Sequence, residues 1–88
     1  MNLIINFTKN RGEVELKLKE NGKLIDTLTF DFEANLDLVL ISAVDKILKR
    51  NKIDTSSLKT VSVSGNIEKG SSAYKIAQTF IEAVKASK

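Results

Sequence analysis

The 88-residue sequence predicts a small α/β (α+β) fold with the element order β-β-β-α-β-α. Two observations predict it. The first is a strictly alternating stretch from Glu13 to Glu20, closed by Asn21-Gly22. The second is a change to a 3.6-residue apolar period at Leu36, interrupted by one short β-branched run at Thr60 to Ser64 before helical spacing resumes. Hydrophobic residues make up 42% and charged residues 28%, which supports a folded core and excludes the low-hydrophobicity, high-charge profile of disorder. A chain of this length buries only about 60 to 65 per cent of the surface its unfolded form exposes, so its stability margin is thin.

Asn2 to Thr8 carries Leu3, Ile4, Ile5 and Phe7 in a nearly unbroken apolar run, the pattern of a central strand covered on both faces. A turn at Lys9-Asn10-Arg11-Gly12 follows. Glu13 to Glu20 then places Val14, Leu16 and Leu18 on one face and Glu15, Lys17 and Lys19 on the other, a strand with one wet side. Asn21-Gly22 predicts a two-residue type I′ hairpin, because both central positions need positive φ. The next strand, about Lys23 to Phe32, is expected to align Leu24, Leu28, Phe30 and Phe32, with Asp26 breaking the pattern.

The first helix is expected from about Leu36 to Arg50, with Leu36, Leu40, Val44, Ile47 and Leu48 on one side and Asn35 as N-cap. Lys46, Lys49 and Arg50 suit its negative C-terminal end. Asn51 to Ser57 reads as polar linker anchored by Ile53 and Leu58. Thr60 to Ser64 is a short strand, Gly65 to Gly70 a loop, and Ser71 or Ser72 caps a second helix to about Ala86 that buries Ala73, Ala77, Phe80 and Val84. The most apolar strand belongs in the middle, so the predicted mixed sheet has the strand order 3-2-1-4, with two helices covering it.

Composition removes several functions. With neither Cys nor His, the chain has no disulfide, no thiolate or imidazole metal ligand and no histidine base. The longest apolar run, Leu38 to Ile41, is far shorter than the roughly 20 residues of a membrane span. No membrane partner is therefore expected, and the expected address is cytoplasmic. The net charge of +3 is scattered, which reads as a solvated surface ahead of a nucleic-acid patch.

Few residues suggest chemistry. The Ser64 to Ser72 segment has a strand, a loop and a helix start, where backbone amides can hold an anion, but Gly70 is followed by Ser71 and not Lys, so it is no P-loop. An ordinary turn with a helix cap is the favoured reading over an anion site. Asp26, Asp31 and Glu33 near the third strand could hold a hard cation, although solvent-facing carboxylates at a strand edge are far commoner. No metal, cofactor or catalytic residue is assigned, and the chain is not expected to be an enzyme.

The helices carry more apolar surface than one core face needs. Leu38, Val39 and Ile41 project away from the first stripe, and Tyr74 and Ile81 on one flank, Ile76 and Ala83 on the other, do so on the second helix. Two readings remain: a deeper groove within the chain, or contact with another subunit, the latter preferred.

Taken together, LIINFT (residues 3–8), NGKLID (21–26), LVLISAVDKILKRNKIDTSSLKTVSVSGN (38–66) and GSSAYKIAQTFIEAVKA (70–86) resemble the first part of the N-terminal lobe of TsaB-type (YeaZ) proteins of bacterial tRNA threonylcarbamoyladenosine synthesis. These belong to the actin-like, ribonuclease-H-like ATPase superfamily. The resemblance implies a single ribonuclease-H-like (actin-like) domain over residues 1–88, a half-lobe of that fold. Departures bear on chemistry. Asn6 stands where active ATPases of the superfamily carry a metal-binding Asp; Leu36, Asp37 and Leu38 stand where the family has His-Ser-Glu; and the family's glycine loop survives only as Ile67 to Ala73, with Lys75 where Arg is usual. No nucleotide site is therefore expected. The family continues into a fifth strand and a second lobe, so the strand at Thr60 to Ser64 is expected to offer an edge that a partner covers.

TsaB-type proteins are noncatalytic platforms that bind the catalytic TsaD-type subunit through two helices. The resemblance implies the same use here, in tRNA modification, with Leu38, Val39, Ile41, Ser42, Tyr74, Gln78 and Ile81 as the expected interface, and a homodimer when the partner is absent. The alternative is a small nucleic-acid-binding module using the lysine-rich hairpin face of Lys17, Lys19 and Lys23, which lacks the aromatic platform of an RNA-recognition sheet.

Overall fold

The computed structural model describes residues 1–86. Its elements are β1 (Asn2–Phe7), β2 (Glu13–Glu20), β3 (Lys23–Asp31), α1 (Leu36–Arg50), a 3-10 turn (Thr55–Ser57), β4 (Thr60–Gly65) and α2 (Ser72–Ala86). The strands form one mixed sheet in the order β3-β2-β1-β4, with β1 antiparallel to β2 and parallel to β4. This is the predicted order.

Strand alternation sends Leu3, Ile5 and Phe7 of β1, Val14, Leu16 and Leu18 of β2, and Val61 of β4 to one side, where all are buried. There they meet Leu36, Leu40, Val44 and Ile47 of α1 and Ala77, Ile81 and Val84 of α2 in a single core. Both helices thus lie on one sheet face and pack against each other. The expectation that β1 is covered on both faces is corrected: Ile4, flanked in register by Lys17 and Ser62, sits on the open face and is half-buried. An apolar run cannot distinguish a doubly covered strand from one whose outer residue is shielded by its cross-strand neighbours.

The type I′ hairpin forms as predicted, with φ of 53° at Asn21 and 79° at Gly22. The third strand departs from its pattern. A bulge shifts the register between Leu18 and Lys19, so that Leu18 pairs with Asp26 and Lys19 with Leu24, leaving Ile25 as the extra residue. Leu24 accordingly leaves the row of Leu28 and Phe30 and is 54% exposed, with Ile25 at 46%.

The bulge brings Asp26 to the C-terminal end of α1. Its Oδ2 accepts from Arg50 Nε and from Asn51 Nδ2, each at 2.8 Å, while Arg50 Nη2 donates to the Thr27 carbonyl at 2.8 Å. These donors, Arg50 first and Asn51 second, hold the Asp26 carboxyl below its ordinary value of 3.8. Asp26 is therefore a latch between β3 and α1.

Just beyond the latch, α1 ends in a Schellman turn. Ile53 N–H donates to Leu48 O at 2.9 Å and Lys52 N–H to Lys49 O at 3.1 Å, with Lys52 at φ 57°, a left-handed position that glycine usually fills. At the other end Asn35 occupies the N-cap position, and its carbonyl accepts from Val39 N–H at 3.1 Å, but its side chain makes no capping bond. Its ψ of 35° lies outside the extended region from which a side-chain oxygen reaches the first turn. Ser71 does cap α2: Oγ accepts from Tyr74 N–H at 3.2 Å and donates to Glu68 O at 2.8 Å.

Two predictions follow from these contacts. Lys52→Gly relieves the left-handed strain and raises stability by about 0.5–1 kcal/mol, net of the greater freedom of glycine in the unfolded chain, as read by urea unfolding. Because Asp26 is held below 3.8 in the folded state, its stabilising contribution is complete above the ordinary carboxylate range and is lost as pH falls through the lower, folded-state value. Asp26→Asn lowers Tm at neutral pH, and its deficit relative to the native chain narrows below about pH 4.

Candidate functional site

Two concave regions bring together residues from separate elements. The first is a polar cleft of about 670 Å³ beyond the carboxyl ends of the parallel pair β1 and β4, lined by the Thr8–Gly12 loop, Phe32 and Glu33, and the start of α2. Ligands of open α/β sheets bind in such crevices. Its loops are braced internally. Glu13 Oε1 accepts from Thr8 Oγ1 at 2.7 Å and from Asn10 Nδ2 at 3.1 Å, and these bonds hold the carboxyl below its ordinary value. Phe7 and Phe32 meet edge-to-face at 6.4 Å.

Gly65 carries the strand-to-loop turn at φ 97°. A Cβ there would collide with the Phe7 carbonyl and sit 2.7 Å from Asn6 Oδ1. Asn66 N–H donates to Phe7 O at 2.7 Å, tying the loop to β1. Asn6 Oδ1 accepts from Ser64 Oγ at 3.0 Å, so Asn6 is engaged in joining β1 to β4. The cleft lining mixes Lys9 and Arg11 with Glu33 and Glu68, which gives it no field of one sign. Asp26 lies toward the opposite end of β3 from Asp31 and Glu33, and among the described residues no group of three or more acidic side chains comes together as metal ligands.

The second region is an apolar groove of about 420 Å³ between α1 and α2. Leu40 and Ile41 form one wall, and Ile76, Thr79, Phe80 and Ala83 the other, with Asp37 and Lys75 in the same lining. Ile41 is 56% exposed, and Leu38, one turn earlier on α1, is 66% exposed. Of the residues read from sequence as an interface, the structure therefore places Ile41 in the groove, with Leu38 exposed on α1 outside its lining. Ser42 is exposed, while Val39 lies on the other flank in a shallow hollow with Asp31 to Asn35.

The α2 half of that set requires correction. Ile81 is only 4% exposed and belongs to the core, whereas Phe80, expected inside, is half-buried in the groove wall. Tyr74 and Gln78 occupy the opposite flank of α2 from the groove, joined by a 2.9 Å bond from Gln78 Nε2 to the Tyr74 hydroxyl. The cause is a rotation of one helix position: Ala77, Ile81 and Val84 match helical spacing as well as Ala77, Phe80 and Val84 do. Ile76 and Ala83, the other apolar flank of α2, were the signal for the groove.

Two solved structures resemble this arrangement. YeaZ from Pseudomonas aeruginosa superposes with a TM-score of 0.74 over 99% of this chain and 40% of its own, at 11% sequence identity. The chain has the fold of a YeaZ-like half-lobe. The crystal structure of an uncharacterized protein with similarity to peptidase YEAZ from Pseudomonas aeruginosa matches equally, at 0.74 and 11% identity over 99% of this chain and 39% of its own. The chain thus spans about two-fifths of the solved structures it matches. No family model and no curated protein matches the sequence.

The turn at Gly65 yields a prediction. Gly65→Ala places a methyl group against the β1 backbone in a left-handed conformation, and we expect a loss of at least about 2 kcal/mol in chemical denaturation.

Proposed function

We propose that this chain is a noncatalytic partner subunit of the TsaB (YeaZ) kind, which binds a TsaD-type catalytic subunit through the α1–α2 groove in tRNA threonylcarbamoyladenosine modification. The observation that carries the reading is the groove itself. Leu40, Ile41, Ile76, Phe80 and Ala83 give it a mostly apolar surface, and Leu38 and Ile41 stand exposed on α1, on a fold that superposes on YeaZ. Full burial of a Leu or Ile side chain is worth about 1.5–3 kcal/mol, so a protein surface that fills the groove and covers Leu38 gains from both.

The polar cleft lends less to a nucleotide reading. Asn6 cannot supply the negative charge of the Asp it replaces, and the loop at Gly65 is closed on β1 by its own backbone. The lysine-rich hairpin face is weakened as a nucleic-acid surface by the 3.7 Å ion pair of Lys17 with Glu15. A self-associated state through the same groove is expected when the partner is absent.

Ile41→Asp and Ala83→Asp place a charge on each groove wall at exposed positions. Each should lower the affinity for a purified TsaD-type subunit by at least about tenfold in calorimetric titration, and should shift light-scattering mass toward the monomer. Unchanged affinity and mass in both variants would refute the reading.

A further inference from the structure

We infer that the end of the molecule bearing the β2–β3 hairpin tip is a peripheral docking surface for an anionic lipid bilayer, with Leu24 and Ile25 as its apolar contact. This surface is separate from the helix groove. The observations concern shape, charge and the chemistry of the tip.

The bulge in β3 turns Leu24 out of the core row and leaves Ile25 without a cross-strand partner, so two large aliphatic side chains stand side by side at 54% and 46% exposure. They are held there rigidly. The Asn21-Gly22 turn closes the hairpin on one side, and the Asp26 latch to Arg50 and Asn51 fixes the strand on the other.

The topology collects charge at the same end. β1 and β4 start there, and α1 and α2 finish there, which assembles Lys19, Lys23, Lys46, Lys52, Lys59 and Lys85 against Glu20, Asp54 and Glu82. Arg50 with Asp26 and Lys49 with Asp45, also at that end, are paired with each other, and the Met1 ammonium adds a further positive charge there. At the far end of the sheet, by contrast, acidic residues outnumber basic ones: Glu13, Asp31, Glu33, Asp37 and Glu68 against Lys9, Arg11, Lys69 and Lys75. The positive excess of the described chain is therefore concentrated at the end of the molecule that bears the exposed Leu24–Ile25 pair.

That combination selects the partner. Lysines near an anionic membrane surface each strengthen binding by about fivefold, and exposed aliphatic side chains add to it by entering the boundary between headgroup and acyl chain. A nucleic acid would use the lysines and leave Leu24 and Ile25 in water. It would also find no aromatic ring at this end on which a base could stack, since Tyr74 and the four Phe residues lie elsewhere. Such docking lies on a bilayer and does not span it. Among the described residues no helix is long and apolar enough to cross one. The absence of a long apolar run in the sequence therefore leaves this mode of contact untouched.

The test is cosedimentation with vesicles of phosphatidylcholine containing about 30 per cent phosphatidylserine, beside pure phosphatidylcholine vesicles and single-stranded RNA. The native chain should bind the anionic vesicles at least about tenfold more tightly than the neutral ones, and lose most of that binding at about 0.5 M salt. Lys19→Glu combined with Lys23→Glu should weaken it by about 25-fold or more, and Leu24→Ser with Ile25→Ser by about tenfold. These side chains are outside the core, so unchanged thermal unfolding serves as the control for folding. Absence of vesicle binding overturns the inference, as does equal binding to neutral vesicles. Binding that the Leu24–Ile25 variant leaves intact, accompanied by comparable binding to RNA, also overturns it and identifies a general polyanion surface.

Discussion

The structure depends on one sheet face having to accept two helices. Leu3, Ile5 and Phe7 of β1, with Val14, Leu16 and Leu18 of β2 beside them, form the apolar floor on which both α1 and α2 rest. Four strands span about 14 Å from first to last, and packed helices lie about 8–10 Å apart, so two helices fill this face with a seam between them. Where the seam is lined by residues as small as Thr79 and Ala83, it stays open as a groove. Exposed Ile41 is thus a consequence of the packing and not an isolated surface exception.

The same constraint explains the two ends of β3. At its far end Phe32 reaches Phe7, and its N–H donates to Gly12 O at 2.8 Å, drawing the β1–β2 loop over the core. At its near end the chain must pass from a regular ladder to the C-terminus of α1. The bulge achieves this by placing Asp26 opposite Leu18, where it receives Arg50 and Asn51. Loss of Leu24 from the core row is the cost, offset by a charge-assisted junction between sheet and helix. The Schellman turn with Lys52 in a left-handed conformation follows at once, so helix exit, linker direction and sheet edge are all determined within a few residues.

The likeness to YeaZ shows how much of a fold can persist at 11% identity. In this chain the fold rests on the alternation in β1 and β2, the helical stripes and the glycine at the end of β4. Gly65 illustrates the reason. Its missing side chain lets the β4–α2 loop press on Phe7 and Asn6, a requirement of backbone approach that holds whatever surrounds it.

Local chemistry was legible in the sequence wherever one residue type answers one local demand. Asn21-Gly22 set its hairpin, alternation set the buried row of β2, and Ser71 supplied the cap of α2. Helix ends at Arg50 and Ala86 and the sheet order could be read the same way. Tertiary structure alone decided three matters. It placed both helices on one face, which left Ile4 on the open side of the sheet; it introduced the bulge that freed Leu24 and gave Asp26 its partners; and it chose Ile81 over Phe80 for the core. In each case local patterns were degenerate, because neighbouring apolar residues satisfy the same periodicity. Only the side chains arriving from distant segments broke the tie.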